Sequence, residues 1–162
     1  MTYKPKELLD YFDTHSISYE LHEHPPVFTV EESQNIKDNI PGGHSKNLFL
    51  KDKKGNLALF SAQADAQIDL KALSREMELG RFSFGKPELL KDKLGVTPGS
   101  VTAFALINDP EKEVKFALHK TLADYDVLNF HPLDNSMTVS ISFDDFKAFL
   151  ESIGRSLDII DL

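Results

Sequence analysis

The stretch Gly42-Gly43-His44-Ser45-Lys46-Asn47-Leu48-Phe49-Leu50 delivers a lysine to the point where a loop runs into an apolar strand. A strand-end lysine is ordinarily a solvated one. Two neighbours favour chemistry instead. Gly42-Gly43 lets a ligand approach the backbone closely, and Asn47 sets a neutral donor and acceptor beside the cation. With a reference pKa of about 10.4 the ammonium is a donor at neutral pH, suited to holding a phosphate or carbonyl oxygen rather than to taking up a proton. A second candidate is the loop Gly95-Val96-Thr97-Pro98-Gly99-Ser100-Val101. Such a turn either aims backbone N–H groups at one spot, as an anion nest or oxyanion hole, or simply closes a connection after a helix. The third is His131, before Pro132, which serves as a donor to a substrate carbonyl or as a satisfied edge residue.

Several other chemistries find no footing. Gly-x-Ser-x-Gly, His-Glu-x-x-His and the phosphate-cradling Gly-x-x-x-x-Gly-Lys-Ser/Thr do not occur. Cysteine is absent, which removes disulfides, thiolate zinc sites and thiol nucleophiles together. His22 and His24 share one side of an extended segment, yet two histidines without a third ligand are a weak basis for a metal. No metal and no cofactor is expected, and no protein general base is evident.

These residues need a scaffold. Leu8, Leu9 and Phe12 predict a helix from about Lys4 to Thr14, with Thr2 as its cap and Pro5 in its first turn. Ile17 to Leu21 alternates like a strand that Pro25-Pro26 interrupts. Thr29 and Glu32 have capping-box spacing for a helix to about Lys37. Leu48–Leu50 and Leu57–Phe60 flank a turn-rich hairpin tip. Helices follow over 69–77 and 86–94, with a strand-like Arg81–Phe84 between them. Strands are expected at 114–118, 127–130 and 137–142, then a helix from Ser142 that Gly154 stops. Because most strands arrive as hairpins, the expected architecture is α/β of the α+β type. It is a mixed, mostly antiparallel central sheet surrounded by helices.

The 162 residues suffice for one domain, 1–162, with a real core. No apolar run reaches membrane-spanning length and no signal-like core follows the N-terminus, so a cytoplasmic location is expected. A net charge of -8 weighs against DNA and against bulk duplex binding. It leaves room for a local grip on one RNA end by Lys46, Lys51, Lys53 and Lys54, although the last two also read as a solvated hairpin tip.

Four separated segments together resemble the YbaK/prolyl-tRNA synthetase-associated editing domain family. They are His24-Pro25-Pro26-Val27-Phe28-Thr29-Val30-Glu31-Glu32, Gly42 to Leu50, Gly95 to Val101, and Asn129-Phe130-His131-Pro132-Leu133-Asp134-Asn135-Ser136. The likeness runs nearly the whole chain, and Ser45-Lys46-Asn47-Leu48-Phe49 is most similar to the free-standing PrdX/ProXp-ala branch. The resemblance implies a trans-editing deacylase that hydrolyses alanine mischarged onto proline tRNA. It implies the tRNA acceptor end as partner, with prolyl-tRNA synthetase as a second partner. Lys46 matches the family's essential lysine, and Asn47 and His131 match polar residues of the same pocket. Pro98, Gly99 and Ser100 match the loop beside the reacting ester, and Phe28 falls in the first matching segment. On this reading Lys46, Gly99 and Ser100 are catalytic, while Asn47, His131, Pro98 and Phe28 bind substrate. A cysteine-specific deacylase on proline tRNA, and a non-catalytic tRNA- or synthetase-binding module, are the alternatives.

Overall fold

The structure is a computed structural model that describes residues 2–27 and 29–162. Its first helix, α1 (Pro5–Thr14), buries Leu8 and Phe12. Lys4 is the N-cap residue and makes no side-chain cap bond, so the cap expected of Thr2 is not made. The helix ends where Ser16 turns left-handed (φ 57°) and the Ile17 N–H reaches back to the Phe12 carbonyl at 2.9 Å. That 6→1 closure tucks Ile17 into the core instead of a strand, and β1 starts later, at Glu20–Glu23. Helix α2 (Val30–Asn39) is capped by Thr29, whose Oγ1 accepts from the Glu32 N–H at 3.1 Å.

β2 (Gly43–Lys51) and β3 (Leu57–Gln63) form the expected hairpin. Asp52 organises its tip. Its carboxylate accepts from the N–H groups of Lys54, Asn56 and Gly80 and from the Asn56 side chain. These bonds, the Asn56 side chain foremost, hold its pKa down at about 2. α3 (Leu70–Glu76) begins at the Asp69 cap. Only Ser83–Phe84, β4, pairs in the segment expected as a strand from Arg81, while Phe82 turns into the core. α4 (Pro87–Leu94) closes on Gly95 in the left-handed region, φ 72°. The 3₁₀ segment Ala103–Asn108 follows, almost wholly buried.

β5 (Val114–His119), the short α5 (Lys120–Ala123), β6 (Val127–Phe130) and β7 (Met137–Ser142) lead to α6 (Phe143–Ser152). The tail pairs as β8 (Ile159–Ile160) beside β5. The sheet order is β1-β7-β6-β2-β3-β5-β8, with β4 also on β2. Four of the seven pairings are antiparallel, and β2–β6, β3–β5 and β5–β8 are parallel. β2 joins β6 through only two register pairs, Gly43 with Leu128 and His44 with Asn129. Beyond His44, β2 therefore parts from β6, and Lys46 and His131 both border that opening.

The larger core is aromatic. Phe104 meets Phe12, Phe130 and Phe149 edge-on at centroid distances of 5.1, 5.4 and 5.4 Å. Phe130 stacks on Phe146 at 4.9 Å. These contacts clamp the end of β6, so the residue after it, His131, leaves the sheet from a rigid base. Among the described residues, no helix is long and apolar enough to cross a membrane.

Candidate active site

Helix α2 lies over the opening beside β2 and encloses a cavity of about 250 Å³. Ile36 and Lys37 come from α2, and His44, Ser45 and Lys46 from the start of β2. Asn129, Phe130 and His131 enter from the end of β6, Thr138 from β7, and Val27 from the segment before α2. Two of the sequence candidates, Lys46 and His131, thus border one small space although 85 positions separate them in the chain.

Lys46 is half-buried, and its ammonium donates to the Ala66 carbonyl. Ala66 is not among the residues bordering the cavity, so that bond ties the ammonium to the segment between β3 and α3, in reach of His119. Lys37 supplies a second ammonium, 3.6 Å from the exposed Asp65 carboxylate. Sequence reasoning passed over Lys37 because a lysine in a helix's last turn looks like an ordinary macrodipole partner.

His131 is fixed in both position and tautomer. Its Nδ1 lies 2.8 Å from the Met137 carbonyl, which can only accept, so Nδ1 carries the proton. Nε2 is left with a lone pair. Burial, first of all, lowers the His131 pKa from the usual imidazole value, so the ring is neutral at pH 7. The neutral ring is an acceptor at Nε2. Of the two roles the sequence left open, donor to a substrate carbonyl or satisfied edge residue, the hydrogen bond to Met137 leaves the neutral ring no N–H for the first. His44 shows the same pattern: Nε2 donates to the Ile40 carbonyl at 2.7 Å, and burial lowers its pKa. His44 lies inside the lysine motif, where its residue type alone carries no sign of this bond.

Behind the cavity runs a file of polar side chains. His22 Nε2 pairs with Ser140 Oγ at 3.1 Å, and Ser140 donates to the buried Asn129 Oδ1. The Asn129 side-chain amide donates to the Pro41 carbonyl at 3.1 Å, and its backbone carbonyl accepts from Ser45 Oγ at 2.8 Å. Asn47 Nδ2 then donates to Ser45 Oγ at 3.2 Å, while Asn47 Oδ1 accepts from Ser61. Asn47 stands one layer behind the cavity lining, with both ends of its amide engaged in holding β2 to β3 and to Ser45. In the sequence Asn129 stands out only as part of a motif. What marks it in the structure is a fully bonded amide at 2% exposure.

The two glycine features act differently from the expectation. A Cβ on Gly42 (φ 107°) would lie 2.8 Å from the Val127 carbonyl oxygen, and one on Gly43 would lie 2.6 Å from the Tyr125 ring. The space beside them is filled by protein, so these glycines admit β6 and Tyr125 rather than a ligand. Pro98–Ser100 forms a 3₁₀ turn. The Ser100 N–H donates to the Thr97 carbonyl at 2.9 Å and is not available to an oxyanion. None of Pro98, Gly99 and Ser100 is among the residues bordering the 250 Å³ cavity. Gly99 instead abuts the Asn135 side chain, whose Nδ2 donates to the Val27 carbonyl at 3.1 Å. Through Asn135 the turn props the Val27 wall. Phe28 lies outside the described residues. Among the described residues, no group of three or more histidine and carboxylate side chains is placed to hold a metal ion.

The chain has counterparts among known proteins. The model of the aminoacyl-tRNA editing domain family matches residues 24–149. The prolyl-tRNA editing protein ProX of Acetoanaerobium sticklandii is 36% identical over 151 residues, covering 93% of this chain and 92% of its own. The prolyl-tRNA synthetase associated domain-containing protein 1 of Xenopus laevis is 37% identical over 160 residues, covering 96% and 95%. A crystal structure described as that of a candidate trans-editing enzyme for prolyl tRNA synthetase superposes with a TM-score of 0.69 at 17% identity, covering 98% of each chain. At that identity the superposition shows the fold alone.

Proposed function

This chain belongs to the aminoacyl-tRNA editing domain family and is an aminoacyl-tRNA deacylase, and from that premise we propose that it acts in trans on alanine mischarged onto proline tRNA. The observation that carries the reading is the 250 Å³ cavity bordered by a cation, Lys46, and a neutral imidazole, His131. A space below the usual range of ligand pockets suits a small acyl group. A synthetic site shaped for proline cannot reject alanine strongly, because a few missing methylenes are worth only about 1–3 kcal/mol. A second, smaller site removes the product that slips through.

In the proposed reaction a water oxygen attacks the ester carbonyl carbon. The C–O bond to the terminal ribose breaks, the ribose oxygen takes a proton, and free alanine departs. Lys46 faces the charge that develops on the carbonyl oxygen, where a fixed cation in a partly dry site stabilises the transition state more than the ground state. Lys37 holds the adjoining phosphate. His131 Nε2 accepts a proton from the attacking water or from the neighbouring ribose hydroxyl. The turn at Gly99 and Ser100 shapes the wall. Prolyl-tRNA synthetase is the partner this reading implies, as the source of the mischarged product.

The test is a panel of Ala-, Cys- and Pro-tRNA(Pro) offered to the wild type and to Lys46→Ala. We expect Ala-tRNA(Pro) to be hydrolysed fastest, and the substitution to lower kcat/KM by roughly 10²-fold or more with the fold retained. Undiminished turnover by Lys46→Ala removes the lysine from the mechanism. A preference for the cysteinyl ester removes the alanine assignment, and binding without turnover makes the chain a recognition module.

A further inference from the structure

A second cavity, of about 450 Å³, lies on the other flank of α2, between that helix and β1. It adjoins the candidate active site. Ile36 borders both spaces, and His24 of the second cavity bonds Thr138 of the first, Nε2 to Oγ1 at 2.9 Å. One aliphatic side chain and one hydrogen-bonded pair thus form the partition.

The chemistry of the two spaces differs. Lys37 and Lys46 border the first. Among the described residues bordering the second there is no lysine or arginine; it carries Glu23, Asn35 and Asn39 around an apolar floor of Pro25, Ile36 and Ile40. A rim that carries carboxylates and no lysine or arginine favours a group that donates N–H bonds over a phosphate. Asn39 donates one of its two side-chain N–H groups to the Asn35 carbonyl at 2.7 Å, and its Oδ1 stays an acceptor for a ligand. His24 is bonded at both ring nitrogens, to the Pro25 carbonyl at 2.9 Å and to Thr138, which pins the imidazole at the cavity, with the His131 ring tilted beside it at a centroid distance of 6.4 Å. Apolar floor, pinned aromatic ring and acceptor rim are the means by which proteins seize an unstacked base from a single strand.

We propose that the β1–α2 cavity receives an amino-bearing nucleobase of the single-stranded acceptor end while the ester occupies the Lys46 cavity. The proposal rests on the deacylase reading given above. Adenine and cytosine both carry the required exocyclic amine, and the terminal adenosine and the penultimate cytidine are the two sources in reach. The phosphate between them falls to Lys37 across the Ile36 partition.

The experiment uses alanyl minihelices in which the terminal adenosine is replaced by purine riboside, or the penultimate cytidine by uridine, each change deleting one amine. One of the two should lower wild-type kcat/KM by about 10-fold or more, the loss expected of a missing base-edge contact, and which one identifies the base. Asn39→Trp plugs the cavity from an exposed rim position. It should slow the unmodified substrate similarly and make the same base change cost nothing further. Wild-type indifference to both changes, or an undiminished penalty in Asn39→Trp, overturns the proposal. A turnover-independent measurement separates it from the deacylase reading: His22 and His24 imidazole NMR signals titrated with AMP, CMP, IMP and UMP. Shifts confined to the amino-bearing nucleotides support it, and no shift, or equal shifts with all four, overturns it. If the unmodified substrate is not hydrolysed, the deacylase reading fails; if it is hydrolysed without regard to the base, only the present inference does.

Discussion

His131 shows how one hydrogen bond assigns chemistry. The Met137 carbonyl takes the Nδ1 proton, so the atom left to act is a lone pair. Burial lowers the folded-state pKa of His131, and also those of His44 and His119, below the ordinary 6.5. The sign follows directly. Above 6.5 the ring is neutral in folded and unfolded chains alike, and the stability of the buried neutral ring is complete. As pH falls below 6.5 the unfolded chain binds protons first, and stability is lost until the folded-state value is passed. Each histidine can steepen the decline by up to about 1.4 kcal/mol per pH unit within that window. For the reaction, protonation of Nε2 removes the acceptor. We therefore predict that the acid limb of kcat/KM lies below pH 6.5 and disappears in His131→Gln, with the residual rate lower throughout. A limb above 6.5, or one that persists in the variant, would contradict the assignment. Urea melts between pH 7 and pH 5 report the stability arm independently.

Among the elements, β2 carries the site and its N-terminal end is the vulnerable part. Only two register pairs join it to β6. At that end Gly42 holds a positive φ of 107° with the Val127 carbonyl where a Cβ would stand. Gly42→Ala therefore meets a backbone atom, not a yielding side chain, in a conformation that L residues avoid. We expect a stability loss of about 1–3 kcal/mol in denaturant melts, of the size typical for strained backbone. Because Lys46 lies on the same strand, turnover should fall with it. Unchanged melting and unchanged turnover would mean that the β2–β6 junction does not position the lysine. The other end of the cavity is better secured. Phe130, beside His131, is gripped by Phe104 and Phe146, so His131 rests on the larger core, while Lys46 is held by its pairing with Ala62 of β3 and takes its place relative to β6 from the thin junction.

Across the whole molecule, charge and topology agree on a narrow mode of contact. The net charge is -8, yet the cations bordering the cavity, Lys37 and Lys46, sit together where α2 meets β2. A protein of this balance grips an RNA end at a few phosphates and repels the remainder. We predict a log K against log salt slope of roughly -1 to -3 for acceptor-stem binding, at about -0.7 per neutralised single-strand phosphate. A slope several times steeper would require an extended basic face and would move the RNA elsewhere on the surface. Elsewhere the chain is tied down by structural charge. Arg155 bonds the Asp109 carboxylate and the Val114 carbonyl, each at 2.8 Å, anchoring the segment that leads into β8.

Much of this architecture was written locally. The Thr29 and Asp69 caps, the Lys51–Asn56 hairpin tip, Gly95 beyond α4 and the period-two run of β7 depend on neighbours a few residues away, which is why sequence reasoning reached them. Composition alone was enough to set aside cysteine chemistry, and the Lys46 and His131 segments stood out by their residue types. Distance in the chain is what hid the rest. Ile17 left its expected strand because Phe12 offered it a carbonyl, and Ala103–Asn108 became core because the aromatic cluster closed around Phe104. Gly42-Gly43 proved to be packing positions for β6 and Tyr125, and Asn47 a brace behind Ser45. The proton on His131 was decided by a carbonyl six residues on, presented by another strand, and the cavity by a helix laid over a parting in the sheet. Caps, turns and periodicity are nearest-neighbour physics; a lone pair facing a cavity exists only once distant backbone has closed around it.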